Sequence, residues 1–146
     1  MRISCFEDIE AWQLARVLAQ KVYNLTKNSE FSRDYGLRKQ IQDAAGSSMH
    51  NIAEGFDSES NREFIRFLRY AKRSCTEVQS ELYMALDQKY VTETEFKDVY
   101  GHTGRTRAAI RGFIKYLRSY EQNKNNPEPL NPEPVNLGTS KRSLVC

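Results

Sequence analysis

Apolar residues recur every three or four positions through most of the first 120 residues, which is the spacing of one face of an amphipathic α-helix. Short polar segments divide this pattern into four runs. The first two runs predict helices from Glu7 to about Thr26 and from about Arg33 to Glu54. Their inward positions are Ile9, Trp12, Ala15, Leu18, Val22, Leu25, Leu37, Ile41, Ala44, Ala45, Ser48, Ile52 and Phe56.

The third and fourth runs begin at sequences typical of helix caps. Ser60 precedes Glu63 by three positions, and Thr92 precedes Glu95 in the same way. In this arrangement each side chain can satisfy a backbone N–H at the start of the helix. The inward positions that follow are Phe64, Phe67, Leu68, Ala71, Cys75, Val78, Leu82, Leu86, Phe96, Val99, Ile110, Phe113, Ile114 and Leu117.

Three segments predict where helices stop or bend. The polar segment KNSEFS, residues 27–32, is predicted to end the first helix. Gly55 is predicted to close the second helix in the left-handed conformation that glycine adopts readily. The glycines of GHTG, residues 101–104, predict a kink or a break in the fourth helix, because each costs about 1 kcal/mol relative to alanine. That helix is expected to end near Tyr120.

Four helices with short connections and no strand pattern predict an all-α protein. The expected architecture is an antiparallel up-down-up-down four-helix bundle over residues 1–120. Residues 121–146 contain all four prolines and a tandem Asn-Pro-Glu-Pro repeat, which lacks backbone donors and offers almost no apolar surface to bury. We expect this Pro/Asn-rich tail to be disordered.

The composition is that of a soluble globular protein. Hydrophobic residues make up 39% of the 146 positions and charged residues 28%, which is ordinary for that class. No apolar run approaches the roughly 20 residues that span a bilayer. Acidic residues in the opening MRISCFEDIEAW occupy the place where a signal peptide is apolar. We therefore expect a cytoplasmic protein with no membrane partner.

The sequence predicts no metal site and no cofactor. The three cysteines are far apart, and the two histidines, His50 and His102, have no cysteine or carboxylate partner at metal-ligand spacing. The serines lack the glycine-flanked motif of a nucleophile, and the glycines form no phosphate-binding loop.

His50 and Glu54 are the one pair that could support catalysis. They are four positions apart and therefore share a helix face. Acid–base chemistry would also need a substrate pocket, which a small solid bundle seldom provides. We favour a structural role, in which Glu54 meets backbone N–H groups or Arg62 at the start of the third helix. An enzyme that uses this pair is the less favoured alternative.

Basic residues form two stripes. The first basic stripe lies on the third helix opposite its apolar face, and the second basic stripe lies on one side of the fourth helix. The first stripe consists of Arg62, Arg66, Arg69 and Arg73, and the second of Arg107, Arg111, Lys115 and Arg118.

The charge of the chain is unevenly distributed, although the net charge is only +3. Residues 105–118 carry five basic and no acidic residues, whereas residues 77–98 carry six acidic residues and two lysines. Arginine stripes suit phosphate and can follow a nucleic-acid backbone. A solvated helix face explains them equally well. In an oligomer, the acidic segment of one subunit could also contact the basic stripe of the next.

Four segments of the chain resemble one known family. They are FEDIEAWQLA at 6–15, YGLRKQIQDAAGSS at 35–48, NIAEGF at 51–56 and SNREFIRFLRYAKRSCTE at 60–77. These segments are similar to the four-helix-bundle proteins called 23S ribosomal RNA intervening-sequence proteins, whose fold is shared by the accessory variability proteins of diversity-generating retroelements. The matching motif positions, which we interpret as scaffold positions, are Asn51, Glu54, Gly55, Glu63, Phe64 and Phe67.

The chain departs from the family pattern just before NIAEGF. Family members often have Ile-Pro where this chain has Met49 and His50. Because proline kinks a helix, its absence predicts a straighter second helix.

The resemblance implies a bacterial, cytoplasmic, non-enzymatic bundle that forms a ring-like homopentamer. It also implies a basic surface that contacts nucleic acid or a reverse transcriptase. Our first hypothesis is that the two basic stripes bind the phosphates of RNA or DNA, with fivefold repetition of the surface. The alternative hypothesis is an interaction scaffold that recruits a reverse transcriptase or a ribosome-associated factor.

Overall fold

The computed structural model describes residues 3–125, and the predicted disorder of the tail beyond them lies outside the described residues. A short 3₁₀ turn at Phe6–Asp8 precedes five α-helices, with no strand in the described range. The helices are α1 (Glu10–Leu25), α2 (Ser29–Arg33), α3 (Tyr35–Phe56), α4 (Asn61–Asp87) and α5 (Glu93–Asn125). The all-α prediction is confirmed.

The four long helices, α1, α3, α4 and α5, surround one core. Helix α3 packs against α1 and α4, and α5 packs against the same two helices. Short connections join successive long helices, which therefore run antiparallel to one another. The predicted up-down-up-down arrangement is confirmed.

Most of the buried core consists of inward positions that the periodic pattern predicts, but it also includes residues that the pattern did not predict, such as fully buried Phe31. Four predicted positions, Phe56, Phe67, Leu86 and Phe96, are only half-buried at its margins. Burial of a large aliphatic side chain contributes about 1.5–3 kcal/mol, so this pattern accounts for the bundle. The fully buried aliphatic positions include Ile9, Leu18, Ile41, Ile52, Leu68, Leu82 and Ile110.

The segment KNSEFS ends α1 as predicted, but it also forms α2, which the pattern did not predict. Asn28 caps α2 by accepting the N–H of Phe31 at 2.7 Å, and its Nδ2 donates to the backbone carbonyl of Tyr90 at 2.8 Å. The ring of Tyr90 stacks on buried Phe31, with centroids 5.3 Å apart. Its hydroxyl donates to Asp34, the N-cap of α3, at 3.0 Å. Helix α2 therefore ties the α1–α3 connection to the α4–α5 connection.

Helix α5 is continuous through GHTG, so the predicted break is wrong. His102 is buried, with its Nε2 2.8 Å from the backbone carbonyl of Leu14 on α1. The buried Thr103 hydroxyl donates to the carbonyl of Val99 within α5. Packing against α1 therefore offsets the low helix propensity of the two glycines. The helix also continues five residues past the predicted end at Tyr120, to Asn125, so the predicted disorder is wrong for residues 121–125.

Gly55 does not close α3 in a left-handed conformation, and that prediction is wrong. No described glycine has a positive φ, and α3 continues through Gly55 to Phe56. A Cβ at Gly55 would lie 2.8 Å from Cδ1 of Phe64 and 2.8 Å from Cβ of Phe67. The absent side chain is therefore what allows α3 to approach α4 closely.

Replacing Gly55 with alanine is expected to destabilise the bundle by about 1–3 kcal/mol, because the added methyl group overpacks the α3–α4 contact. Urea unfolding followed by circular dichroism measures the change. Gly112→Ala on α5 is the matched control, because a Cβ there meets no heavy atom within 4 Å. The control is expected to raise stability by about 0.5–1 kcal/mol through helix propensity. Equal effects of the two substitutions would contradict the close-approach explanation.

Glu81 on α4 is a buried carboxylate without a hydrogen-bond partner in the described structure. The residue is 6% exposed, and neither of its carboxylate oxygens has a partner. Burial first, and then the nearby Glu77 and Asp43, raise the pKa of Glu81 from 4.5 to about 7. The folded chain therefore holds a proton that the unfolded chain releases at lower pH.

Because the pKa of Glu81 is higher in the folded state, the free energy of unfolding should fall as the pH rises from about 4.5 to about 7. Glu81→Gln cannot ionise, and it should be more stable than the native chain at pH 8 by about 1–3 kcal/mol. The difference should vanish near pH 4. Denaturant unfolding across this range tests the prediction, with Glu59→Gln, an exposed glutamate, as the control. A stability difference that does not change with pH would contradict it.

Candidate nucleic-acid interface

The first basic stripe lies on the solvent side of α4, as predicted. Tyr70 organises part of it: Arg66 Nε donates to the Tyr70 hydroxyl at 3.2 Å, and the Arg66 and Arg73 guanidinium carbons lie 5.7 and 5.9 Å from the ring centroid. An Arg66 terminal nitrogen is also 3.5 Å from Oε1 of Glu63. The hydrogen bond to Tyr70 and then the Glu63 charge raise the pKa of Arg66. The ring of Tyr70 therefore contacts the guanidinium groups of both Arg66 and Arg73.

A groove of about 510 Å³ lies between α4 and α5. Helix α4 supplies two cations to its lining and α5 supplies three, and the other lining residues are small or apolar. We call this surface the α4–α5 groove. Its lining residues are Arg69, Lys72, Ala108, Arg111, Gly112, Ile114, Lys115 and Arg118.

The antiparallel packing of α4 and α5 brings these cations together. At one end, Asn61 Nδ2 donates to Oε1 of Glu121 at 2.9 Å. Further along, Arg107 Nε donates to the Thr76 hydroxyl at 3.1 Å. On each helix, the groove cations lie between the residues that make these two contacts. Arg69 and Lys72 lie between Asn61 and Thr76, and Arg111, Lys115 and Arg118 lie between Arg107 and Glu121. The groove therefore depends on the pairing of two segments that are about 40 residues apart in the chain.

The groove is positive and open. None of its lining residues is acidic, so the five cations have no counter-charge within the lining itself. Ala108 and Gly112 are exposed, and a Cβ at Gly112 would meet only open space. A polyanion could therefore approach the backbone of α5 between the basic side chains, and such clustered charge favours an anionic partner.

Four of the eight predicted stripe residues line this groove. The other members of the first stripe, Arg62, Arg66 and Arg73, are exposed on α4 outside the lining. Arg107 is half-buried and hydrogen-bonded to Thr76, so it holds the helices together beside the groove. The stripe residues that the groove brings together are Arg69, Arg111, Lys115 and Arg118.

Lys72 is a groove residue that the sequence analysis missed. It lies about 100° around the helix from Arg73, toward α5. The signal that could have found it is a line of polar residues at spacings of four and three, formed by Lys72, Thr76 and Gln79. These three residues lie along the edge of α4 that faces α5. A helix edge that packs against a neighbouring helix is usually apolar, so a polar edge is the exception.

The NIAEGF motif and its neighbours form scaffold contacts. Asn51 Nδ2 donates to the carbonyl and the hydroxyl of Ser47, at 2.8 and 2.9 Å. The Ser47 hydroxyl accepts from Ser74 on α4 at 3.0 Å. Phe64 is buried and packs against Phe113 of α5, with ring centroids 5.2 Å apart. The motif therefore joins α3 to α4.

Helix α4 begins at the predicted cap, where the Glu63 N–H donates to the Ser60 hydroxyl at 3.2 Å. The reciprocal half of the predicted capping box does not form there, since the Glu63 carboxylate lies beside Arg66 instead. Half-buried Phe67 packs beside Gly55, where the two helices are closest. These positions fix where α4 starts relative to α3.

His50 and Glu54 are both exposed on α3, away from the α4–α5 groove. Among the described residues, Glu54 meets neither Arg62 nor a backbone N–H at the start of α4, so the predicted partner of Glu54 is wrong. Both side chains point into solvent, where an ion pair gains little free energy. The ion pairs of the described residues are Lys21–Asp98, Lys39–Asp43 and Arg66–Glu63.

Among the described residues, no group of three or more histidine, cysteine or acidic side chains could hold a metal ion.

Burial raises the pKa of the Cys75 thiol to about 12, against the lowering effect of the nearby Arg107. Its reactive thiolate form is therefore scarce at neutral pH. Within residues 3–125, the helices are too short or too polar to cross a membrane.

The sequence pattern of one family, described as 23S rRNA-intervening sequence protein, matches residues 7–112. The chain belongs to this family. The matched range includes α1 through α4 and α5 as far as Gly112. Arg69, Lys72 and Arg111 of the groove lie within it, whereas Lys115 and Arg118 follow it.

A solved structure supports the fold of this family member. The crystal structure of a protein of unknown function from the S23 ribosomal protein family of Bacteroides thetaiotaomicron VPI-5482 matches with a TM-score of 0.67. The two sequences are 19% identical, and the match covers 72% of this chain and 98% of the other. At this identity the likeness concerns the fold alone. No curated protein matches the chain.

Proposed function

We propose that this chain is a non-enzymatic bundle that binds RNA or DNA by holding phosphates in the α4–α5 groove. The observation that carries the proposal is the groove itself, where five cations and no acidic residue meet between two helices. Phosphate binding by such cations releases condensed counterions, which drives association. The description of the family, which names an intervening sequence of 23S rRNA, supports an RNA-related role.

The exposed arginines of the first basic stripe extend the same surface. Arg62, Arg66 and Arg73 project from α4 beside the groove, and Tyr70 restrains the last two of these. Guanidinium groups can bind two phosphate oxygens at once. Contacts of this kind position a nucleic acid without reading its bases. Binding should therefore depend weakly on sequence and steeply on salt concentration.

Charge reversal in the groove provides the test. Arg111→Glu combined with Lys115→Glu should lower the affinity for a structured RNA or a DNA hairpin by about 10- to 100-fold at about 50 mM salt, because phosphate contacts are replaced by repulsion. Fluorescence anisotropy with a labelled oligonucleotide measures the dissociation constant.

The control for this experiment makes the same charge change elsewhere. Lys27→Glu combined with Arg33→Glu alters exposed residues at the opposite end of the bundle. The control should change affinity by less than about threefold, since the interaction between surface charges is largely screened beyond the Debye length, which is about 14 Å near 50 mM salt. Undetectable binding by the native chain, or equal losses in the two variants, would refute the groove as the binding site.

A protein-interaction scaffold is the second candidate function, and the same basic groove supports it. Its partner would be a reverse transcriptase or a ribosome-associated factor with an acidic surface. Affinity capture with and without nuclease treatment distinguishes the two functions. Partners lost on nuclease treatment support nucleic-acid binding, and partners retained support the scaffold.

We also propose, from the family resemblance, that the chain forms a homopentamer. Five copies would repeat the groove around one ring and increase the total positive surface. Light scattering of the purified chain should give a mass about five times the 17.0 kDa of one copy. A mass equal to that of one copy at micromolar concentration would contradict the pentamer, without bearing on the groove of the single chain.

A further inference from the structure

Three aromatic side chains form a partly exposed cluster at the far end of the α4–α5 face. Tyr83 of α4 lies 5.0 Å from Phe96 and 5.7 Å from Tyr100 of α5, measured between ring centroids. Phe96 and Tyr100 stack on each other at 5.2 Å. Tyr83 is 50% exposed, and the other two are half-buried. We call these three residues the aromatic cluster.

The aromatic cluster lies on the same two-helix face as the α4–α5 groove. Thr76 meets Arg107 beside the groove, and the next contact along the face places Gln79 against Gly104, where a Cβ would be 3.7 Å from the Gln79 amide nitrogen. The contact after that is between Tyr83 and Tyr100. The face therefore runs without interruption from the groove to the cluster.

The separation of the two features follows from helix geometry. Tyr83 is 11 residues from Lys72 on α4, and Tyr100 is 11 residues from Arg111 on α5. At 1.5 Å per residue this is roughly 16 Å on both helices. A strand with stacked bases rises about 3.4 Å per nucleotide, so roughly five nucleotides would reach from one feature to the other.

Between the groove and the cluster, this face carries Thr76, Gln79 and Arg107, which are neutral or positive. The cluster itself lies at the acidic end of the face, where exposed Asp87 and Glu93 are one helical turn from Tyr83 and Phe96. The attraction for phosphates therefore comes from the groove and not from the cluster. The acidic Asp98 lies on the α1 side of α5, where Lys21 pairs with it at 2.9 Å.

We propose that the α4–α5 face binds single-stranded nucleic acid, with phosphates in the groove and nucleobases stacked on Tyr83 and Tyr100. The inference rests on the proposed function and specifies its substrate class. Aromatic rings stack on any base, but only unpaired bases expose their faces to a protein. The cluster therefore selects single strands over duplexes, whereas the groove alone binds both.

The test compares a single-stranded RNA of 12 nucleotides with the duplex of the same sequence. Tyr83→Leu combined with Tyr100→Leu removes both rings and keeps the positions apolar. The affinity of this variant for the single strand should be lower by a factor of about ten or more, because each stacked base contributes substantially to affinity. Its affinity for the duplex should be unchanged. Tyr23→Leu, a tyrosine of α1 that is also 50% exposed, is the matched control and should leave both affinities unchanged.

Two further measurements keep the test independent of folding. Tyr83→Phe combined with Tyr100→Phe keeps the rings and should retain native affinity for the single strand. The native protein should bind a 12-nucleotide strand that lacks bases over its central half about tenfold more weakly than the complete strand. Equal affinity for the two strands would overturn the proposal.

The outcomes separate this proposal from the function on which it rests. If the tyrosine variants bind both ligands normally while charge reversal in the groove weakens both, the stacking proposal is overturned and the groove stands. If the native chain binds neither ligand, both proposals fail. If the leucine variant changes the oligomeric mass but not the affinity for the single strand, the cluster is an interface between copies, which also overturns the proposal.

Discussion

The antiparallel packing of α4 against α5 places cations from two distant parts of the chain along one groove. Asn61 pairs with Glu121 at one end of this contact, and Thr76 pairs with Arg107 beyond the groove. These hydrogen bonds lie at the outer edge of an apolar interface, and they are consistent with the register that core packing supplies together with most of the stabilisation. A shift by one helical turn would move the α4 cations about 5.4 Å relative to those of α5.

The rest of the bundle holds this pair of helices in place. Gly55 lets α3 approach α4 to a distance that no side chain would allow, and α2 joins the two connections at one end through Asn28 and Tyr90. The buried Glu81 opposes folding, since its carboxylate has no partner. Glu81 lies on the α3 side of α4, near Asp43, and therefore away from the basic face.

Hydrophobic spacing and capping residues were sufficient to predict where the four long helices lie and most of the core, because both depend on residues close together in sequence. The failures have a different origin. Helix α2 is short and is held by Tyr90 from another connection, and Gly55 serves a contact between two helices. Lys72 joins the groove only because α5 lies beside it. Each of these features depends on which helices are neighbours, and a linear pattern does not contain that information.

If the proposal is right, α4 and α5 bind one nucleic acid together. Lysine footprinting can detect both helices at once, because each supplies one lysine to the groove, Lys72 and Lys115. The chain would be acetylated with and without bound RNA, and the modified peptides quantified by mass spectrometry. Bound RNA should protect both lysines, while Lys27 and Lys39, which are exposed at the other end of the bundle, should remain reactive. Protection of neither groove lysine, or equal protection of all four, would contradict it.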